Sequence, residues 1–354
     1  MSVTIITVNN RQLLKNTHTQ MQLDQVTDQS RIDEVVAFCG QMWSIPTTPT
    51  SMPCSNPCSL MRSNLKRINT NQYWVGEKTD GVRMFLVMGF REGADGEDHE
   101  YAVLVDRAFR IYNVLMESNY DNYYAGSLFD GELVTLEDGS LLYVVFDVVA
   151  ASGYDMKGFQ QSQRMLVAGA AFENTGTEHQ QKRNLMFVDP PIQTKTKVWH
   201  PLSEAMEVFQ SADHCDGLIL VPETGRLMNG TQTDTFKWKE ANKHTIDFLL
   251  DDTGMLWVMQ AQKPISAITS ARVHFIQTSV SQPFMEAAAT ATTGGGAGVL
   301  VECECLPAED GAWTAVPIKI RTDKDRPNSV GVARATLCNI LENIGVHELF
   351  IDQR

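Results

Sequence analysis

The sequence predicts an α+β protein of two domains: a mixed domain over residues 1–243, then a small β-barrel over 244–328, with a C-terminal helix over 329–354. Three observations predict it. The chain has 354 residues, a length that suits about two domains. Up to Lys243, β-favouring runs are interleaved with helical patterns. Beyond Lys243, short β-favouring runs follow one another with polar breaks between them.

The elements follow in order. Residues 1–31 are polar and irregular. In 32–43, IDEVVAFCGQMW, the residues Ile32, Val35, Val36 and Cys39 share one helical face. Residues 45–58 hold Pro46, Pro49, Pro53 and Pro57 and read as a loop, and Leu60–Ile68 as a short helix leading to the strand at Tyr73. Met84–Met88 is an apolar run of strand length. Tyr101–Tyr112 alternates as a hairpin, and LFDGELVTL and LLYVVFDVVA pair across Glu137-Asp138-Gly139-Ser140, a hairpin turn by its Asp-Gly. Residues 160–171 and 202–212 read as helices, and 217–222 and Thr235–Lys239 as strands. The five runs TIDFLLD, MLWVMQA, ARVHFIQ, VLVECECL and AVPIKIR suit a five-stranded barrel of the OB type. TATTGGGAG reads as a loop tip and lacks the Gly-Lys-Ser/Thr ending of a phosphate-binding P-loop. In the tail, Val332, Ala335, Leu337, Ile340, Leu341 and Ile344 recur at helical spacing and predict docking on a domain.

Composition narrows the function. With 43% hydrophobic and 20% charged residues the chain reads as soluble and globular. A net charge of −14 argues against a grip on nucleic acid through its phosphates alone, so any such contact is a local basic patch. No segment has the apolar length of a signal peptide or a membrane span. Seven cysteines, an odd number without zinc spacing, predict reduced thiols of a nuclear or cytosolic protein and no structural metal. Cys215 after His214 begins like a phosphatase loop, but no arginine follows until Arg226, so it reads as a bystander.

Chemistry-bearing residues fall at strand ends. The stretch Lys78-Thr79-Asp80-Gly81-Val82-Arg83 joins two expected strands. Further clusters are Phe129-Asp130-Gly131-Glu132-Leu133, Tyr143-Val144-Val145-Phe146-Asp147, Asp216-Gly217-Leu218-Ile219, Phe236-Lys237-Trp238-Lys239, and Arg321-Thr322-Asp323-Lys324-Asp325-Arg326-Pro327-Asn328. Residue by residue, each has a plain alternative. Lys78 reads as a solvated lysine in a polar hairpin turn, Phe146 as core, Glu132 as a hairpin polar group, and Lys237 and Lys239 as the wet face of an edge strand.

In order and spacing, the six clusters resemble the motifs of eukaryotic and viral mRNA capping guanylyltransferases. These belong to the covalent nucleotidyltransferase superfamily, which includes ATP-dependent DNA and RNA ligases. The resemblance spans residues 78–328, and its last pattern, Arg-x-Asp-Lys-x-x-Pro-Asn, separates capping enzymes from ligases. It implies an ATP-grasp-like nucleotidyltransferase domain, as in DNA ligases and capping enzymes, followed by an OB-fold. It implies that GTP and a divalent metal, Mg2+ or Mn2+, form a Lys78–GMP phosphoramidate whose GMP passes to a 5′-diphosphate RNA end. It also implies roles: Glu132 on the ribose, Phe146 stacked on guanine, Thr79 and Lys197 at the guanine O6 with Lys195 as a neighbouring alternative, and Asp216 serving the metal. Arg321, Asp323 and Lys324 close over the triphosphate.

Splitting one transfer into two through a lysine requires a neutral amine. A free lysine titrates near a pKa of about 10.4, and adjacent cations lower it. Arg83, Lys237 and Lys239 are the expected source of that field, and of charge neutralisation on the phosphates. The chain has no room for a methyltransferase domain, so RNA triphosphatase, cap methyltransferase and RNA polymerase II are expected as separate partners. The expected site of action is the nucleus, or the cytoplasm for a viral protein. The competing functions are an ATP-dependent polynucleotide ligase and a catalytically silent RNA- or polymerase-binding module.

Overall fold

The computed structural model describes residues 23–350 except 47, 50, 71, 94, 120, 174–183, 212–215, 261–262, 267–274, 278–280, 308–312, 323 and 325. The polar N-terminus through residue 22, Asp323, and the His214-Cys215 pair therefore lie outside the described residues. Contacts divide the chain into two units: Met1–Cys58 with Thr70–Lys237, and Ser59–Asn69 with Trp238–Arg354. Among the described residues, no helix is long and apolar enough to cross a membrane.

The first unit contains β1 (Asp24–Gln25), α1 (Gln29–Met42) and β2 (Ser55–Ser59). The short helix α2 (Leu65–Thr70), which belongs to the second unit except for its last residue, comes next in the chain, and the first unit resumes with β3 (Tyr73–Glu77), β4 (Val82–Glu92), β5 (Asp98–Asp106), β6 (Ile111–Ser118), β7 (Ser127–Thr135), β8 (Leu141–Ala151) and β9 (Tyr154–Asp155). The unit continues with α3 (Gln161–Phe172), β10 (Leu185–Asp189), β11 (Ile192–Thr196), β12 (His200–Pro201), α4 (Ala205–Ser211), β13 (Leu218–Pro222) and β14 (Gly230–Trp238). These strands form a nine-stranded sheet, β1-β6-β5-β4-β7-β8-β11 with β10 on β6 and β9 on β8, and a five-stranded sheet, β12-β3-β13-β14-β2.

The run Met84–Met88 is continuously apolar because both faces of its sheet are covered. Met84, Leu86 and Met88 join the core that holds Ala168, Ala171 and Phe172 of α3. Phe85 and Val87 join the core that holds Val35 and Cys39 of α1 and its C-cap Trp43. The α1 helix starts at Gln29, three residues before the expected start, where its N-cap Asp28 accepts a hydrogen bond from the Arg31 amide at 3.1 Å.

Two local expectations are corrected here. Residues 55–58 are not loop. They pair as part of β2 at the sheet edge, where a proline such as Pro57 costs no ladder hydrogen bond. The turn after β3 is not a hairpin: β3 pairs with β12 and β13, β4 with β5 and β7, so Lys78–Gly81 carries the chain from one sheet into the other.

The second unit contains β15 (Thr245–Leu250), β16 (Leu256–Gln260), β17 (Lys263–Ser266), β18 (Phe275–Gln277), α5 (Gln282–Thr293), β19 (Val299–Pro307), β20 (Trp313–Ile320) and α6 (Val330–Glu342). They form one six-stranded sheet, β17-β16-β15-β19-β20-β18, and no closed barrel is present among the described residues. The α5 helix, unanticipated, takes up the first four residues of TATTGGGAG; only the glycines beyond Thr293 form a turn. The tail helix docks on this unit's core through Ala333 and Leu337, with Ile340 against it. Val332 and Leu341, expected on the buried face, are 48% and 65% exposed, so the packed stripe is offset from the expected one.

Candidate active site

The turn between the two sheets positions Lys78. Its amide donates to the Gly217 carbonyl at 2.7 Å, extending the β3–β13 ladder by one step. That step sets Asp216 beside it, and Lys78 Nζ donates to Asp216 Oδ2 at 2.8 Å. Gly217 has φ of +140°, which a side chain would strain; a glycine is what lets the chain present Asp216 there. Burial pulls the Lys78 pKa down, but the carboxylates of Asp216, Glu132 and Asp80 outweigh it and hold the ammonium above the ordinary lysine value. This corrects the expected sign: carboxylates, not Arg83, Lys237 and Lys239, dominate the field at the amine.

Glu132 reaches the same turn from β7, accepting from the Gly81 amide at 3.2 Å. Burial raises its pKa, and Lys197 and Lys78 work against that rise. Arg83 and Glu132 lie opposite each other in the β4–β7 register. The Arg83 guanidinium is not directed at Lys78. It forks onto buried Asp130, Nε–Oδ1 at 2.9 Å and Nη2–Oδ2 at 2.6 Å, and Nη1 donates to the Ser55 carbonyl at 2.9 Å.

Phe146 is not core. In the β7–β8 register Asp130 faces Asp147 and Gly131 faces Val145, so Phe146 is the extra residue of a β-bulge. Bulges re-aim side chains, and here the ring is half-buried between two cations. Arg83 Cζ lies 5.3 Å and Lys197 Nζ 5.6 Å from its centroid. The neighbouring Asp147 instead pairs inward with fully buried Arg164 at 2.6 Å.

Lys197 follows β11, and its amide donates to the Val145 carbonyl at 2.7 Å, which places it against Phe146. Its Nζ donates to the Glu77 carbonyl at 2.8 Å, next to Lys78. Lys195, the alternative, is exposed. Two polar atoms at this site, Thr79 Oγ1 and Trp199 Nε1, are buried without a hydrogen-bond partner. Buried polar groups are rarely left so; the threonine hydroxyl can donate or accept and the indole N–H donates. Trp199 was not among the expected site residues; its only mark in the sequence is its position two residues after Lys197.

The division between units runs through the Lys-Trp-Lys triplet: Lys237, half-buried on β14, ends the first unit, and Lys239 belongs to the second. In the second unit, Arg321 and Lys324 converge on one buried carboxylate, Asp247 of β15. Arg321 Nη1 lies 2.8 Å from Asp247 Oδ1, Lys324 Nζ pairs with Oδ2, and Glu302 is 3.4 Å from Arg321. Asn328 brackets the same residue, donating to the Asp247 carbonyl at 2.8 Å and accepting from its amide at 2.9 Å. Asp247 was missed because an acidic residue in TIDFLLD carries no local mark. Among the described residues no cluster of three or more metal-ligating side chains exists. Asp216 still suits Mg2+, which takes one or two protein carboxylates and completes its shell with phosphates and water.

Residues 8–241 match the family described as mRNA capping enzyme, catalytic domain. The chain is 26% identical over 232 residues to the mRNA-capping enzyme subunit alpha of Yarrowia lipolytica, covering 60% of this chain and 59% of that protein. It is 22% identical over 356 residues to the mRNA-capping enzyme of Danio rerio, covering 93% of this chain and 54% of that protein. It thus spans little more than half the length of these curated relatives. Among solved structures, a mycobacterial DNA ligase D complexed with ATP and MES aligns over 77% of this chain and 96% of that one at 14% identity, with a TM-score of 0.42.

Proposed function

From the premise that this chain belongs to the mRNA capping enzyme family, we propose that it is an mRNA guanylyltransferase. It takes GTP, forms a covalent Lys78–GMP, and transfers GMP to a 5′-diphosphate RNA end. The observation that carries the reading is the placement of Lys78 Nζ on Asp216 with Glu132 on the same turn: a half-buried amine among carboxylates.

In the first step Lys78 Nζ forms a P–N bond to the α-phosphorus as the bond to pyrophosphate oxygen breaks, and the amine's proton leaves. The ammonium is held by Asp216, so a change at that carboxylate has to precede attack. A Mg2+ or Mn2+ ion on Asp216 would neutralise phosphate charge there. Glu132 accepts from the ribose hydroxyls. The base stacks on Phe146, and Thr79 and Lys197 face the guanine O6; Trp199 Nε1 is a further donor on that side. Lys237, Lys239, Arg321 and Lys324 serve the phosphates, with Asp323 in the same motif, while Arg83 braces the floor through Asp130.

The second unit reads as an OB-fold. Its succession of short strands, antiparallel except for the pair β18–β20, supports that reading. The partners proposed are an RNA triphosphatase, a cap methyltransferase and RNA polymerase II, and the place of action is the nucleus, or the cytoplasm for a viral protein. The name of the Yarrowia relative, subunit alpha, supports a partner subunit.

The test is incubation with α-labelled GTP and a divalent metal, then denaturing electrophoresis. A labelled band that EDTA abolishes is expected. Label from ATP in preference to GTP would point to a ligase, and no label with any nucleotide to a binding module.

A further inference from the structure

Tyr143 lies behind the site, makes no contact with the proposed nucleotide, and is fully buried. Its hydroxyl sits inside the β4–β7 ladder. The Leu86 amide donates to it at 3.1 Å, and it lies 3.1 Å from both the Met84 and the Phe129 carbonyls, either of which accepts its single proton. Its ring passes under Gly131, where a Cβ would fall 2.5 Å from Tyr143 Cζ and 2.8 Å from the hydroxyl oxygen. The glycine of Asp130-Gly131-Glu132 is therefore there because the phenol occupies the space a side chain would need. Phe187 packs edge-on against the ring at 5.9 Å and makes none of the hydroxyl's hydrogen bonds.

One side chain of β8 thus ties β4 to β7 at the step next to the Arg83–Glu132 pair and at the bulge that turns Phe146 outward. We propose that the Tyr143 hydroxyl is a positioning group for the site: wedged between β4 and β7, it sets the separation of Arg83, Asp130 and Glu132 and the aim of Phe146. This rests on the guanylyltransferase reading for its kinetic consequence, though not for its geometry. Burial keeps the phenol neutral, so it holds this place across the working pH range. Without the hydroxyl, the ladder either leaves the Leu86 amide unpaired or closes up and carries Glu132 with it.

The test is Tyr143→Phe beside Phe187→Leu, a control that loosens the same core without touching the ladder. In Y143F the KM for GTP in adduct formation is expected to rise about tenfold or more. In F187L it stays within about twofold, at a similar fall in melting temperature. The Gly81 amide, which donates to Glu132, reports the carboxylate's position without nucleotide; its NMR resonance should move in Y143F and stay in F187L. Gly131→Ala, which displaces the ring but keeps the hydroxyl, should reproduce the Y143F pattern and stands in for Y143F if that variant does not fold. Equal KM shifts in Y143F and F187L, or an unmoved Gly81 resonance in Y143F, overturn the proposal. A wild-type protein that no nucleotide labels overturns the guanylyltransferase reading instead, and the Gly81 resonance then decides this one.

Discussion

Lys78 Nζ and Asp216 Oδ2 stand 2.8 Å apart, and the pair holds the lysine as an ammonium. Its folded pKa lies above the ordinary lysine value, so the pair's stabilisation is fully present below about pH 10.4 and fades as pH rises through the folded pKa. The neutral amine needed for attack becomes commoner over the same rise.

For the protein without metal, Asp216→Asn removes the largest carboxylate influence on Lys78, and the lysine pKa should move down. NMR titration of the lysine side chain, or the pH dependence of reductive methylation at Lys78, reads this directly. An unchanged titration would show that the ion pair does not hold the ammonium. In the wild type, adduct formation should accelerate with pH through the alkaline range until folding is lost.

Lys78→Met is expected to abolish the covalent GMP adduct while leaving a cooperative melt. Lys78→Arg fails as well, because a guanidinium stays protonated. A labelled band from the methionine variant would remove Lys78 as the nucleophile.

Phe146→Ala removes a ring that is half-exposed and flanked by Arg83 and Lys197, so the fold should survive. Lost base stacking of about 1–3 kcal/mol predicts a rise of roughly five- to 150-fold in KM for GTP. Phe146→Tyr should be mild. A variant that unfolds would return the ring to a core role.

Arg321→Ala and Lys324→Ala should cripple adduct formation and largely spare transfer of preformed GMP, because only the first step has a pyrophosphate to hold. A two-step assay, labelling and then single-turnover transfer, separates these. Equal damage to both steps would count against a pyrophosphate-holding role.

Asp247→Ala strands two cations that now share a buried carboxylate. Breaking a buried pair from one side costs about 3–5 kcal/mol, and the figure belongs at the low end here because Lys324 is more than a third exposed. Urea unfolding should show a larger stability loss for D247A than for K324A. The reverse order would mean that Asp247 is not what organises the loop at 321–328.

Much of the site was legible in the chain because its chemistry is carried by short runs at strand ends. Glu132 and Asp216 each sit beside a glycine and Lys78 lies in a glycine-containing turn, and the structure brings the three together. Lys197 was separable from Lys195 only by burial. Without the resemblance Phe146 read as core, because the nearly continuous apolar run YVVFDVV gives no hint of an extra residue. The bulge that turns it outward depends on which residue of β7 faces which of β8.

By itself, the sequence determined the residue types and most of the local strand and helix patterns, because local pattern and turn chemistry act over a few neighbours. Only the tertiary structure decided the electrostatics. The sign of the field at Lys78 depends on how close Asp216 and Glu132 come once two sheets are joined at one turn. The guanidinium of Arg83 is committed to Asp130, and Arg321 and Lys324 to Asp247, by contacts between residues 47, 74 and 77 positions apart. Charge interactions fall off with distance and strengthen with burial, and neither quantity exists until the chain has folded.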